Sequence, residues 1–353
     1  MKKAWILTGL LATASLGFAQ TDVLTYQPGK MNEGVTYFLP QTAIDITVNA
    51  EHTTYTPGDF CQYAEKYLRL TDVATTASEA WEIKSVTVRP KGLPDTTKVY
   101  TVKLKEKTVA PLMDLTEEGI IKAINTTLAA TSEPKEQAAE PEKELNPRDY
   151  MNEEILMAGS TAKMAELTAK EIYNIRESKN TITRGQADSM PKDGEMLKIM
   201  LQSLDEQERA LMQLFVGVTK RETKSTTLRV VPTDNISKQV MLRFSKKLGF
   251  VDADDLAGAP LYLTVTNQKS VPQQPATTEK GKKKPTGVIY NVPSKADVTV
   301  TDGNKTYYTG EMNIAQFGNT EVLVGSLFNK KTTTKVTFDP TTGGLLKIEA
   351  ANP

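Results

Sequence analysis

The sequence predicts an α+β protein in which two β-rich, sandwich-like domains flank a long antiparallel helical hairpin. Three observations carry this. Ile44, Ile46 and Val48 alternate with Asp45 and Thr47, the period of a strand with one buried face. Apolar residues then recur at helical spacing, first at Ile155, Ala158, Ala162, Ala165, Ala169 and Ile172, then at Leu197, Leu201, Leu204, Leu211, Phe215 and Val218. From Thr226 the period returns to two, in strands separated by turns and a loop, up to a last strand at Leu345 to Ile348.

The elements follow in order. Met1-Lys2-Lys3, the apolar run Ala4 to Leu16, and Gly17-Phe18-Ala19 have the three parts of a secretory leader, with cleavage expected after Ala19. No cysteine stands at the cut, so a lipid-anchored form is not expected, and no later segment is long and apolar enough to span a membrane as a helix. Residues 20–129 read as the first β-rich domain. Its strands are Gly34 to Pro40, Thr42 to Thr56, Trp81 to Pro90 and Val99 to Leu104, rich in Thr, Val, Ile and Tyr. A short amphipathic helix, Phe60 to Leu70, follows the turn Pro57-Gly58-Asp59.

Residues 130–146 are charged, proline-bearing and poor in large apolar side chains, the composition of a solvated linker. Asn146-Pro147-Arg148-Asp149 reads as a helix start, with a cap residue, proline at the first position and an acid in the first turn. The hairpin is expected over 147–221, about 40 Å long at about 1.5 Å per residue, with Lys179 to Lys192 as its loop and Glu208 as the one polar interruption of the second stripe. Residues 222–353 form the second β-rich domain, with a proline- and lysine-bearing loop at 270–285. Asp302-Gly303-Asn304 and Asp339 to Gly344 supply hairpin turns.

Composition narrows the chemistry. Lys plus Arg is 43 and Asp plus Glu is 43, so no net positive field exists to hold nucleic acid. The single cysteine, Cys61, leaves no intrachain disulfide and reads as a small buried apolar residue. The single histidine, His52, shares a strand face with Ile44, Ile46, Val48 and Ala50 and reads as packed at the edge of that face. One histidine and one cysteine cannot build the usual zinc sites, and no cofactor is expected.

Two patterns could carry chemistry. Ser160-Thr161-Ala162-Lys163 fits the nucleophile-and-base signature Ser-x-x-Lys of penicillin-recognising serine enzymes. Thr233-Asp234-Asn235 and Lys331-Thr332-Thr333 loosely follow the two companion motifs. Against this reading, Ser160 is expected several turns inside a helix that starts near Pro147, facing away from the small-residue stripe. Asp252-Ala253-Asp254-Asp255 lacks the glycine and distal glutamate of a calcium loop.

Several strings resemble a family of exported Bacteroidota proteins described as a domain of unknown function. They are Tyr55-Thr-Pro-Gly58, Phe60-Cys-Gln-Tyr-Ala-Glu-Lys-Tyr-Leu68, Leu204-Asp-Glu-Gln-Glu-Arg-Ala-Leu211, Ala315-Gln-Phe-Gly318 and Phe338-Asp-Pro-Thr-Thr-Gly-Gly344. The resemblance spans nearly the whole chain after the leader and implies an envelope location without an activity.

The functional expectation is a non-catalytic periplasmic binding or scaffold protein with envelope or outer-membrane proteins as partners. Arg184 and Asp188, at the hairpin tip, are the expected contact residues, because loops on rigid supports commonly bind. The alternatives are an envelope hydrolase, using carboxylates or the Ser160/Lys163 pair, and a carbohydrate-binding module with a flat aromatic row on a sheet.

Overall fold

The computed structural model describes residues 22–25, 34–103, 112–128, 144–186, 193–272, 287–324, 327 and 333–351. The expected leader, most of the charged stretch 130–146, Asp188 and most of the loop 270–285 lie outside those residues.

The elements run β1 (Asp22–Thr25), β2 (Val35–Thr56), α1 (Ala64–Leu68), β3 (Ser78–Lys103), β4 (Met113–Leu115), β5 (Ile121–Ile124), α2 (Glu153–Leu156), α3 (Thr161–Thr183) and α4 (Gly194–Val216). Then follow β6 (Val218–Val230), β7 (Ile236–Ser245), β8 (Gly249–Val251), β9 (Ala259–Asn267), β10 (Gly287–Thr301), β11 (Thr306–Val324), β12 (Thr333–Phe338) and β13 (Leu345–Ala351). The strands form three antiparallel sheets, ordered β1-β3-β2-β6, β11-β10-β9-β7-β8 and β13-β12-β5-β4.

This corrects the α+β expectation. Strand takes 51% of the described residues and helix 24%, so the described fold is mostly β. The sheets are not two sandwiches separated along the chain: β2 pairs β6 across the helical region, and β5 pairs β12 across some two hundred residues. A long helical hairpin does not fill 147–221 either. Pro147–Tyr150 is a 3-10 turn, α2 is a single turn, and Val218 already opens β6. The physical reason lies in two caps the periodicity hides. Asn152 accepts from the Ile155 N–H and Ser160 from the Lys163 N–H, so the chain starts a helix twice where the stripe suggested one.

β2 shows how the sandwich forms. Ile44, Ile46, Val48 and Ala50 are fully buried, and the first three enter a core shared with Leu261, Leu263 and Val265 of β9 and Val298 and Val300 of β10. On the other face Asp45, Thr47 and Asn49 each meet the β6 residue directly opposite: Arg229 at 2.6 Å, Thr227 at 2.9 Å and Ser225 at 2.6 Å. Alternation therefore assigns one face to the core and one to a polar ladder.

Pro40 sits inside β2, opposite Pro94 of β3, where a strand loses ladder donors. The missing pairing is supplied by the C-terminal part of the chain. Asn291 Nδ2 donates to the Pro40 carbonyl at 2.9 Å and to the Thr342 carbonyl at 2.8 Å. Gln316 Oε1 accepts from the Thr42 N–H and its Nε2 donates to the Thr42 carbonyl, both at 2.9 Å. The Tyr37 hydroxyl donates to the Ile289 carbonyl and accepts from its N–H; burial pushes that phenol far up. Two strings of the family resemblance, Ala315 to Gly318 and Phe338 to Gly344, thus hold the grip on β2. Gly343, at φ +73°, lies so near Pro40 that a Cβ would come within 2.8 Å of its ring.

A candidate contact surface on the helices

The helices have their own core, built from Phe60, Ala64, Leu68, Ala165, Ala169, Ile172, Ile175, Leu211, Leu214 and Phe215. The short segment after β2 roots them. Gly58 lies against the Leu214 carbonyl, where a Cβ would come to 2.2 Å, and the Phe60 N–H donates to that carbonyl at 2.7 Å. The Tyr55 hydroxyl bonds the Val216 carbonyl at 3.0 Å. α4 then runs through Gly217 directly into β6, so the base of the helix pair is fixed to the end of the first sheet. Cys61, expected buried, is half-buried at this junction.

Midway along the pair, Glu208 joins the two helices. Its carboxylate accepts from Arg176 Nε at 2.6 Å and Lys179 Nζ at 2.7 Å, and Lys179 also pairs with Asp205. Partial burial acts to raise the Glu208 pKa, but the two cations outweigh it and hold the carboxyl below its usual range. The polar interruption of the stripe is therefore the cross-link between the helices.

Beyond Glu208 the cover ends. From Asp193 to Ser203 every residue is exposed except Leu197 and Leu201, which are half-buried. Met196 and Ile199 are 60% and 62% exposed. Arg184 closes α3 at this same distal end and is exposed. Asp188 lies outside the described residues. The exposed ridge of α4 was missed in the sequence reading, because the leucine stripe facing α3 drew all the periodic signal; Met196, Ile199 and Met200 form a second apolar set on another face.

Ser160 is not several turns inside a helix. It is the N-cap of α3, exposed, and its Oγ accepts from the Lys163 N–H at 3.3 Å. Lys163 turns its ammonium to Glu166 at 2.9 Å, and this hydrogen bond raises the lysine pKa. A general base must give up its proton readily; this lysine holds its proton more firmly. Ser160 and Lys163 do the work of a cap and a surface ion pair.

His52 stacks on Trp81, with ring centroids 4.2 Å apart and planes 13° apart, and its Nε2 lies 2.7 Å from Glu79 Oε1. Gly249 lies under Trp81, where a Cβ would meet the indole at 2.9 Å. Trp81 is thus a covered residue rather than a platform, and the outer face of the same sheet carries the Asp45, Thr47 and Asn49 ladder. Among the described residues, each carboxyl moved from its usual pKa is moved down: Asp45, Glu82, Glu144, Glu166, Glu208, Asp302, Glu311 and Glu349. A glycosidic general acid needs the opposite shift. Among the described residues no group of three or more His, Cys, Asp or Glu could hold a metal ion. No described helix is long and apolar enough to cross a membrane.

Residues 33–346 match a family model described as Domain of unknown function (DUF4831). No curated protein and no solved structure matches the chain.

Proposed function

The chain belongs to the DUF4831 family, and we propose that it is a non-catalytic binding or scaffold protein of the bacterial cell envelope, exported to the periplasm by its N-terminal leader, without a lipid anchor. It engages envelope or outer-membrane proteins through the distal end of α3 and α4, where α3 closes at Arg184, with Arg184 and Asp188 as the contact residues. One observation carries the reading. A helix pair rooted by Gly58, Tyr55 and Leu214 in a sandwich shows its far end uncovered, with large apolar side chains on it. Apolar area displayed on a rigid support is the usual form of a protein contact surface. The paired state of Lys163 and the downward-shifted carboxyls favour binding over hydrolysis.

The test is in-cell photo-crosslinking from a probe at position 184, with a second probe at Thr47 on the outer ladder as control. One envelope protein crosslinked reproducibly at the helical end, and lost in Arg184→Glu, supports the reading. Retention on cell-wall or glycan material with no protein crosslink at 184 overturns it in favour of a hydrolase or carbohydrate-binding module.

A further inference from the structure

We infer that a partner of the α4 surface is α4 of a second copy of this chain, packed antiparallel about a two-fold axis near Met200. The inference rests on the reading of the helix pair as a contact surface and names what covers the part formed by α4.

At about 100° per residue, Leu204, Glu208, Leu211 and Phe215 point at α3, as their shared core and the Glu208 cross-link require. Met196, Ile199, Met200 and Ser203 centre about 100° around the helix from that set, Met200 lying nearest to it, and all four are exposed. This second ridge has the spacing of a coiled-coil seam, with Met196, Ile199 and Ser203 at successive seam positions. Beside it, Glu195, Gln202 and Arg209 recur every seven residues, so they form one straight row. All three are exposed, and among the described residues neither Glu195 nor Arg209 makes an ion pair.

The row reverses its charge about its own middle: acid, amide, base. In an antiparallel pair such a row meets itself reversed, which sets Glu195 against the partner's Arg209, and Gln202 against the partner's Gln202. The same register sets Ile199 against the partner's Ser203, whose small side chain admits the larger one. It brings Met200 to the partner's Met200 on the axis. Charge and seam thus demand one register, and that agreement singles out a second copy as the occupant. A parallel pairing would set Glu195 against Glu195 and Arg209 against Arg209. The contact is at the small end of stable interfaces, below about 1,200 Å² in total, so the dimer dissociates on dilution.

The test is sedimentation equilibrium of the full chain without its leader, over a wide concentration range, with circular dichroism to check folding. The wild-type chain is expected to dimerise reversibly. Glu195→Arg or Arg209→Glu alone is expected to weaken the dimer about tenfold, and the double substitution to restore it. Met200→Cys is expected to form a disulfide-linked dimer on mild oxidation, whereas Lys198→Cys, off the seam, is not. A monomer at every concentration, a dimer indifferent to both single reversals, or a double variant no stronger than the singles overturns the inference. If the chain stays monomeric while position 184 still crosslinks to an envelope protein, only the self-pairing fails and the binding reading stands.

Discussion

Gln316 presents its side-chain amide to Thr42 as a strand neighbour would, accepting from the Thr42 N–H and donating to the Thr42 carbonyl, both at 2.9 Å, across 274 positions of sequence. Thr42 is fully buried, and its hydroxyl accepts from the Ala315 N–H at 3.1 Å. β2 enters its central pairing with β6 only at Ile44. The Gln316 amide therefore closes the ladder at the point where Pro40 has thinned it.

Gln316→Ala leaves both backbone groups of Thr42 buried without a partner. The loss expected is about 2–6 kcal/mol, at about 1–3 kcal/mol for each of the two stranded groups. Gln316→Glu replaces the donor by a second acceptor facing the Thr42 carbonyl and is expected to lose at least as much at neutral pH. Urea midpoints at unchanged slope check both. A midpoint within error of wild type for Gln316→Ala would show the clasp to be dispensable.

Thr168 makes the opposite prediction. It is fully buried on α3, and among the described residues its hydroxyl has no hydrogen-bond partner. Valine has nearly the same shape and carries no polar atom to strand. Thr168→Val is expected to stabilise the protein by about 1 kcal/mol, since removing an unpaired buried hydroxyl recovers its desolvation penalty. Thr168→Ala leaves a small cavity and is expected to gain less or to destabilise. Thermal melts of the two variants separate the outcomes.

Glu208 ties helix stability to pH. Burial opposes its charge, yet Lys179 and Arg176 together depress its pKa. A depressed carboxyl contributes stability that is fully present above the unfolded-state value, about 4.3, and is lost as pH falls through the folded value. Glu208→Gln is therefore expected to destabilise at pH 7 and to flatten the decline between about pH 5 and pH 3. The readout is helical circular dichroism against urea at each pH. Equal acid sensitivity in variant and wild type would assign the decline to other carboxyls.

Ser160 is expected to behave as a cap. Ser160→Ala should lower stability by about 1 kcal/mol, and Ser160→Asp should restore it, because either oxygen accepts from the Lys163 N–H. A labelled penicillin is expected to leave no covalent adduct on the wild-type chain. An adduct lost in Ser160→Ala and in Ser160→Asp would establish an acyl-enzyme instead.

Much of the local structure was legible. The alternation of Ile44, Ile46 and Val48 declares a strand with one packed face, because side-chain direction in a strand repeats every two residues. The turns at Asp302 and Asp339 were legible from residues that bond their own backbone, as Asp339 does to the Thr341 N–H. Reading failed where a local signal was overruled. β3 runs unbroken for 26 residues through Pro90, Gly92 and Pro94, which the sequence reads as an interruption; β2 pairs it on both sides of them. Ser160 was placed inside a helix because the stripe continued through Ala158. Only the cap geometry shows that α3 begins there.

By itself the sequence determined which residues alternate as apolar and polar along β2 and where the period changes from two to helical and back. The tertiary structure decided the rest: that strands from before and after the helices share two of the three sheets, that Glu208 cross-links α3 and α4, and that a second apolar face of α4 is left exposed. Periodicity fixes the direction of a side chain relative to its own backbone. It does not say which distant face that side chain meets, and contacts such as Gln316 with Thr42 exist only once the chain has closed on itself.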